Sequence, residues 1–183
     1  MNLLHSIPTG DNTPHSINAI IEVVSKSRDK YEYDDELETF VLDRILLPSV
    51  IFPIDYGFIP RTWYDDNDPL DIMVLSHEPL EVGCMVKCRP IGIMIMEDEK
   101  GKDSKVLAVI KGDLRTEGIN DIEDVPKHKL DEILEFFKSY KSLDPNKFIK
   151  FKKWGSAQEA KETIEQAIET YKDLRSNTDD SKG

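Results

Sequence analysis

The segment Met85–Lys111, "MVKCRPIGIMIMEDEKGKDSKVLAVIK", decides the architecture. Two apolar runs rich in Val, Ile and Met flank a short polar turn containing Lys100 and Gly101, so it reads as a β-hairpin. Period-two alternation puts Asp103 and Lys105 on one face of the outgoing strand, and Asp98 and Glu99 close the incoming one. The hairpin tip therefore presents carboxylates and an ammonium together.

Working outward, "INAIIEVV", "KYEYD", "TFVLDRIL" and "DIMVLS" are also short, β-branched or aromatic, and separated by Pro, Gly, Asn and Asp. This spacing predicts a small barrel or a strongly curled sheet. After Pro126 the pattern changes. Leu130, Ile133, Leu134, Phe137 and Tyr140 recur at helical spacing, and a second helix follows in "SAQEAKETIEQAIETYKDL", opened by a Ser156/Glu159 capping box. Strands first and helices last give an α+β class, with helices packed outside a mostly antiparallel sheet.

A chain of 183 residues with 39% hydrophobic content fits one core. We assign residues 1–175 to a single domain and expect 176–183 to be a disordered polar tail. Thirty-six acidic against 24 basic residues give a net charge of −12, which disfavours nucleic acid and acidic membrane surfaces as partners. No membrane-spanning or secretory pattern is visible, so a cytoplasmic location is expected. Cys84 and Cys88, placed along a strand, lie roughly 13 Å apart, too far for a disulfide.

The chemistry concentrates in "WYDDNDPLDIMVL", Trp63–Leu75. Asp65, Asp66, Asp68 and Asp71 repel one another unless a cation lies among them. Pro69 makes "DDNDP" a loop and Asp71 the first residue of the next strand. A calcium loop fails on spacing, because its sixth position would be Asp71 and its twelfth His77. Further charges occupy faces that look apolar: Glu22 within "IIEVV", and Arg44 on the face of Phe40, Leu42 and Leu46. Lys30 and Glu32 share one face of "KYEYD". Such charges suit a polar interior open to solvent. Many carboxylates and a few cations at one cavity suit hard divalent ions with a phosphate-type substrate, and Mg²⁺ rather than zinc, since no histidine pair stands at ligand spacing.

"DNDPLDI", Asp66–Ile72, resembles the D-x-D-P-x-D signature of the family I soluble inorganic pyrophosphatases. "IIEVV", "KYEYD", "LDRIL", "FPIDYGFIP", "CRPIG", "EDEKGKDSKVLAV" and "FFKSYK" follow the family's order, so the resemblance covers about residues 3 to 173. It implies a small, distorted five-stranded OB-type β-barrel flanked by C-terminal helices, hydrolysing pyrophosphate to two phosphates with several Mg²⁺ ions. By the same resemblance Asp66, Asp71 and Asp103 hold a first metal, Asp71 is shared with a second, and Asp98 and Asp103 serve substrate-borne metals. Asp68 would be the general base for the water between the first two ions, with Glu22, Glu32 and Glu99 completing the network. Lys30, Arg44, Tyr56, Lys105, Tyr140 and Lys141 would contact the phosphates.

Two departures stand out. Phe52 replaces a tyrosine found in many bacterial members, from which we expect a modest change in metal affinity. Glu135 and Ser139 stand where some members place interfacial histidines, so a homo-oligomer, a hexamer by family, is expected without those contacts. Against the enzyme reading stand two others: a two-metal nuclease, which the charge disfavours, and an OB-type binding module, which leaves Arg44 and Glu22 unexplained.

Overall fold

The computed structural model describes residues 1–99, 101–144 and 146–180, the last three by backbone alone. Lys100 of the expected turn lies outside them, as do residues 181–183 of the expected tail. The chain runs through α1 (Leu3–Ser6), β1 (Ile17–Val23), β2 (Asp29–Asp34), β3 (Thr39–Ile45), β4 (Asp55–Phe58), β5 (Asp71–Leu75) and β6 (Met85–Asp98). It continues through β7 (Gly101–Lys102), β8 (Lys105–Ile110), α2 (Lys127–Ser139), β9 (Ile149–Ser156) and α3 (Ala157–Asp180). The last helix thus enters the segment read from sequence as tail.

Five strands close a ring. β1 pairs with β4, β4 with β5, β5 with β8 and β8 with β6, and β6 returns to β1 from Ile17↔Cys88 to Ile20↔Met85. Every pairing is antiparallel except β5 with β8, which runs from Asp71↔Lys105 to Leu75↔Val109. This is the expected barrel, and the parallel pair sets Asp71 beside Lys105 at one end. Pro90 has no N–H to give a ladder, and β6 shifts register against β8 between Pro90 and Gly92. Beyond that bulge β6 pairs with β9, widening the sheet past the ring.

Alternation along the strands divides the core. Ile17, Ala19, Ile21, Ile72, Val74, Val106 and Ala108 pack with Ala160, Ile164 and Ala167 of α3. Val23, Met73, Leu107, Val109, Met94 and Met96 pack with Ile133, Phe136 and Phe137 of α2. The bulge between Ile21 and Val23 is what sends these two neighbours of equal phase to different sides. Of the helix stripes expected after Pro126, Ile133, Phe137, Ala160, Ile164 and Ala167 are buried, with Phe136 added, while Leu130, Leu134, Tyr140, Ile168 and Tyr171 are partly covered at the edges. The capping box of α3 is formed: Ser156 N–H donates to Glu159 Oε2 (2.9 Å) and Glu159 N–H to Ser156 Oγ (3.2 Å).

β1 and β4 approach so closely at Gly57 that a Cβ there would stand 1.8 Å from the Ile20 carbonyl oxygen. Backbone cannot yield as a flexible side chain would. Gly57→Ala is expected to cost about 3 kcal/mol or more, read as a lowered denaturation midpoint. A midpoint equal to wild type would show that this pairing opens without penalty.

Two readings need correction. β2 and β3 form a separate two-stranded ribbon, not barrel strands. Its face of Leu42 is not core: Leu42 is 48% and Ile45 57% exposed, while only Phe40 and Tyr33 pack inward, against Phe58 and Leu4. A ribbon with one neighbour cannot cover both of its faces. The ribbon shifts register at Asp43, so Leu42 pairs with Tyr31 but Arg44 with Lys30; Arg44 thereby leaves the face of Phe40 and Leu42 and stands half-buried beside a cleft.

Candidate active site

The cleft lies where the ribbon, the acidic loop before β5, the β6–β8 hairpin and the end of α2 meet, and encloses about 1130 Å³ of space with its mouth included. Every residue singled out from the sequence lines it: Glu22, Lys30, Glu32, Arg44, Tyr56, Asp66, Asp68, Asp71, Asp98, Glu99, Asp103, Lys105, Tyr140 and Lys141. Sequence reasoning missed Leu4, Tyr33, Asp35, Phe58, Trp63, Pro69 and Lys147, which complete the wall. None of these carried a charge or spacing that set it apart from ordinary core or loop. Phe52 is not in the wall; it is buried against Phe136, ring centroids 4.6 Å apart.

Lys105 is the electrostatic centre. Its ammonium donates to Asp103 Oδ1 at 2.5 Å, Asp71 Oδ2 at 2.6 Å and Tyr56 Oη at 3.0 Å, which uses all three of its donors. Burial works against its charge, but Asp71, Tyr56 and Asp103 outweigh burial and raise its proton affinity well above normal. Lys141 donates to Asp98 Oδ2 at 2.8 Å and stands 3.7 Å from Glu99. On the ribbon, Lys30 is paired with Glu32, and Arg44 Nε donates to Asp43 Oδ2 at 2.7 Å. Tyr140 is held in place by a stacked contact with Phe136 (5.3 Å) and an edge contact with Phe137 (5.6 Å).

The acids feel one another. Burial, then Asp71, Asp103 and Asp68, push the Asp66 carboxyl up to about 7. Burial pushes Glu22 up to about 8, helped by Asp71 and opposed by the Tyr33 N–H that donates to its Oε1 at 2.7 Å. Asp103 is raised too, by burial first and by Asp71 and Asp98, against the pull of Lys105.

Asp66 Oδ1 is a buried polar atom with no hydrogen-bond partner, the only one noted among the described side chains. An orphaned carboxylate oxygen with a raised proton affinity is a donor that a hard cation would suit. Among the described residues no three acidic, histidine or cysteine side chains stand grouped as a ready metal cage, because Lys105 bonds both Asp71 and Asp103. The donor set nonetheless suits divalent cations that prefer oxygen.

A closed OB-type barrel with a carboxylate-and-lysine cleft at one end has the donor set for divalent cations and phosphate compounds. The inorganic pyrophosphatase family model matches residues 19–172. The chain is 43% identical to the inorganic pyrophosphatase of Haloferax volcanii over 173 residues, 94% of this chain and 98% of that one. It is 46% identical to that of Saccharolobus solfataricus over 165 residues, 89% and 96% of the two. The crystal structure of the Thermus thermophilus inorganic pyrophosphatase superposes with a TM-score of 0.91 at 43% identity, covering 94% of this chain and 99% of that one. The chain belongs to the family I soluble inorganic pyrophosphatases. Its reaction is the hydrolysis of inorganic pyrophosphate, in a family that depends on metal. No described helix is long and apolar enough to cross a membrane.

Proposed function

We propose that this enzyme splits pyrophosphate with Mg²⁺ as its metal and Asp68 as general base. The reading is carried by the convergence of its acids and cations on one cleft that also holds the unpartnered Asp66 oxygen. Asp66, Asp71, Asp98 and Asp103 would hold Mg²⁺. When bound, Mg²⁺ acidifies an attacking water and stabilises the oxygen that leaves.

The protein's own groups do the rest. Asp68, exposed at the cleft, takes a proton from the attacking water on its carboxylate. Lys30, Arg44 and Lys141 donate N–H bonds to phosphate oxygens and neutralise their charge. Tyr56 and Tyr140 offer hydroxyl donors, and Glu22, Glu32 and Glu99 order the surrounding water. Lys105 must give up one of its three bonds to reach a phosphate, so it serves first as counter-ion to Asp71 and Asp103.

The test is phosphate release from pyrophosphate with and without Mg²⁺, run beside a phosphodiester. Release that needs Mg²⁺ and ignores the diester is expected; the reverse preference would transfer the site to nuclease chemistry. We further assign residues 1–175 to one catalytic domain, place the protein in the cytoplasm, and expect a homo-oligomer, a hexamer by family, with no nucleic-acid or membrane partner. Glu135 and Ser139 bond each other along α2 at 3.4 Å, exposed on the helix surface.

A pH dependence follows from Asp66 and Glu22. Their unfolded values are 3.8 and 4.5, and the metal-free fold raises them to about 7 and about 8. Between these limits the folded chain binds more protons than the unfolded one, so metal-free stability falls as pH rises through that window. Mg²⁺ held by Asp66 needs that carboxylate ionised and expels its proton, and its charge favours the ionised form of nearby Glu22 as well. The Mg²⁺-induced rise in Tm should therefore grow between pH 5.5 and pH 8.5. Calorimetric heats of Mg²⁺ binding at pH 6.5 should vary with the ionisation enthalpy of the buffer; buffer-independent heats would contradict the assignment.

A further inference from the structure

Asp66, Asp68 and Asp71 line one side of the cleft, and their mutual repulsion should spread the loop that carries them. The loop stays closed at its neck. Ile59 N–H donates to the Leu70 carbonyl at 2.9 Å. Beside that bond, the Thr62 hydroxyl donates to the Ile59 carbonyl at 2.6 Å and accepts from Leu70 N–H at 3.0 Å. Thr62 is fully buried, so water cannot stand in for either bond. One hydroxyl thus ties the strand leaving β4 to the residue just before Asp71.

Above the neck backbone bonds shape the loop, and its side chains add a Tyr64–Ser104 hydrogen bond and the open Asp65–Lys102 pair. Trp63 N–H donates to the Ala167 carbonyl of α3 at 2.9 Å, Tyr64 N–H to the Asp68 carbonyl at 2.8 Å and Asn67 N–H to the Tyr64 carbonyl at 3.1 Å. Asn67 takes the left-handed conformation, φ 62°, which an asparagine tolerates and which turns the chain between Asp66 and Asp68. These bonds shape the loop above its neck. At the neck itself, Thr62 is the one side chain that reinforces the Ile59–Leu70 backbone bond.

We propose that Thr62 is a positioning residue for cation binding: its two hydrogen bonds hold the loop neck so that the Asp66 oxygen stays unpaired and Asp71 enters β5 beside Lys105. The proposal rests on the reading of Asp66 and Asp71 as cation ligands. Thr62 does not line the cleft. Its effect is on where the carboxylates stand.

The experiment follows Tm against Mg²⁺ concentration for the wild type, Thr62→Val, which keeps the shape and loses the hydroxyl, and Thr62→Ser, which keeps the hydroxyl. The Mg²⁺ concentration giving half the Tm rise is expected to increase roughly tenfold in the valine variant and to return toward wild type in the serine variant. A valine variant with lower Tm but unchanged Mg²⁺ dependence would overturn the proposal, leaving Thr62 a stabilising residue only. A wild type whose Tm ignores Mg²⁺ would instead overturn the ligand reading beneath it. If the valine variant does not fold, amide exchange of the metal-free wild type decides: Leu70 N–H should be protected like the barrel strands, and exchange as fast as at exposed Asp65 would sink the idea.

Discussion

Asp68→Asn is expected to lower phosphate release from pyrophosphate by roughly 10²–10⁴-fold, the usual worth of a positioned general base. The amide has the shape of the acid but cannot take up the proton of the attacking water. The loop should survive the change, because Asp68 holds it through its backbone carbonyl, which accepts from Tyr64 N–H. Mg²⁺ should therefore still raise Tm. Asp68 is also among the charges that hold Asp66 high, so its removal should lower the Asp66 proton affinity and ease Mg²⁺ binding near pH 6. The control is Asp65→Asn. Asp65 is exposed, does not line the cleft, and meets Lys102 at 3.6 Å in an open ion pair of little worth. Its loss should leave release close to wild type. Undiminished release by Asp68→Asn, or a collapse of equal size from Asp65→Asn, would remove Asp68 from its role.

Lys105→Met has the second large effect, and it appears first in stability. The lysine side chain is 2% exposed and faces Asp71, Asp103 and Tyr56. Methionine fills the space of the stem but leaves two carboxylates without their counter-ion. Breaking a buried ion pair from one side costs about 3–5 kcal/mol, so the metal-free variant should unfold at clearly lower denaturant. Mg²⁺ should restore more stability to the variant than to the wild type, since it offers those carboxylates another cation. A metal-free methionine variant as stable as wild type would show that Asp71 and Asp103 carry protons there and never needed Lys105.

Local patterns made much of this molecule readable. β6 and β8 announced themselves through apolar runs, α2 and α3 through helical stripes, and α3 also through the capping box at its start. The two overlooked strands had weak local signals for identifiable reasons. β4 is only four residues long, holds Asp55 and Gly57, and sits between Pro53 and Pro60. β9 loses its alternation where the bulge opposite Ile95 and Met96 puts Lys152 and Lys153 in succession. Arg44 was misplaced because strict alternation put it on the face of Phe40 and Leu42, whereas the extra residue at Asp43 turns it to the face of Lys30. Most charged members of the site were visible, Glu22 as a charge within an apolar run and the aspartates as clusters in a loop and at a hairpin tip, though Asp35 and Lys147 were not. Its apolar wall was not: Leu4, Phe58 and Trp63 look like any core residues until the ribbon and α1 are brought against the barrel. Thr62 gave no signal at all, since its worth depends on two backbone groups eleven positions apart, Ile59 and Leu70.

The parallel pairing of β5 with β8 also sets when the enzyme can begin to work. Asp71 and Lys105 come into register only after the whole of β6 has been laid down between them, and the ring shuts only when β6 also returns to β1. Such distant pairings pay their loop-closure entropy before contacts repay it, which makes them slow steps in folding. A growing chain therefore carries all the acids of the loop well before it has a site. Recovery of hydrolysis after dilution from denaturant should lag behind the appearance of helix, reporting the moment the barrel shuts.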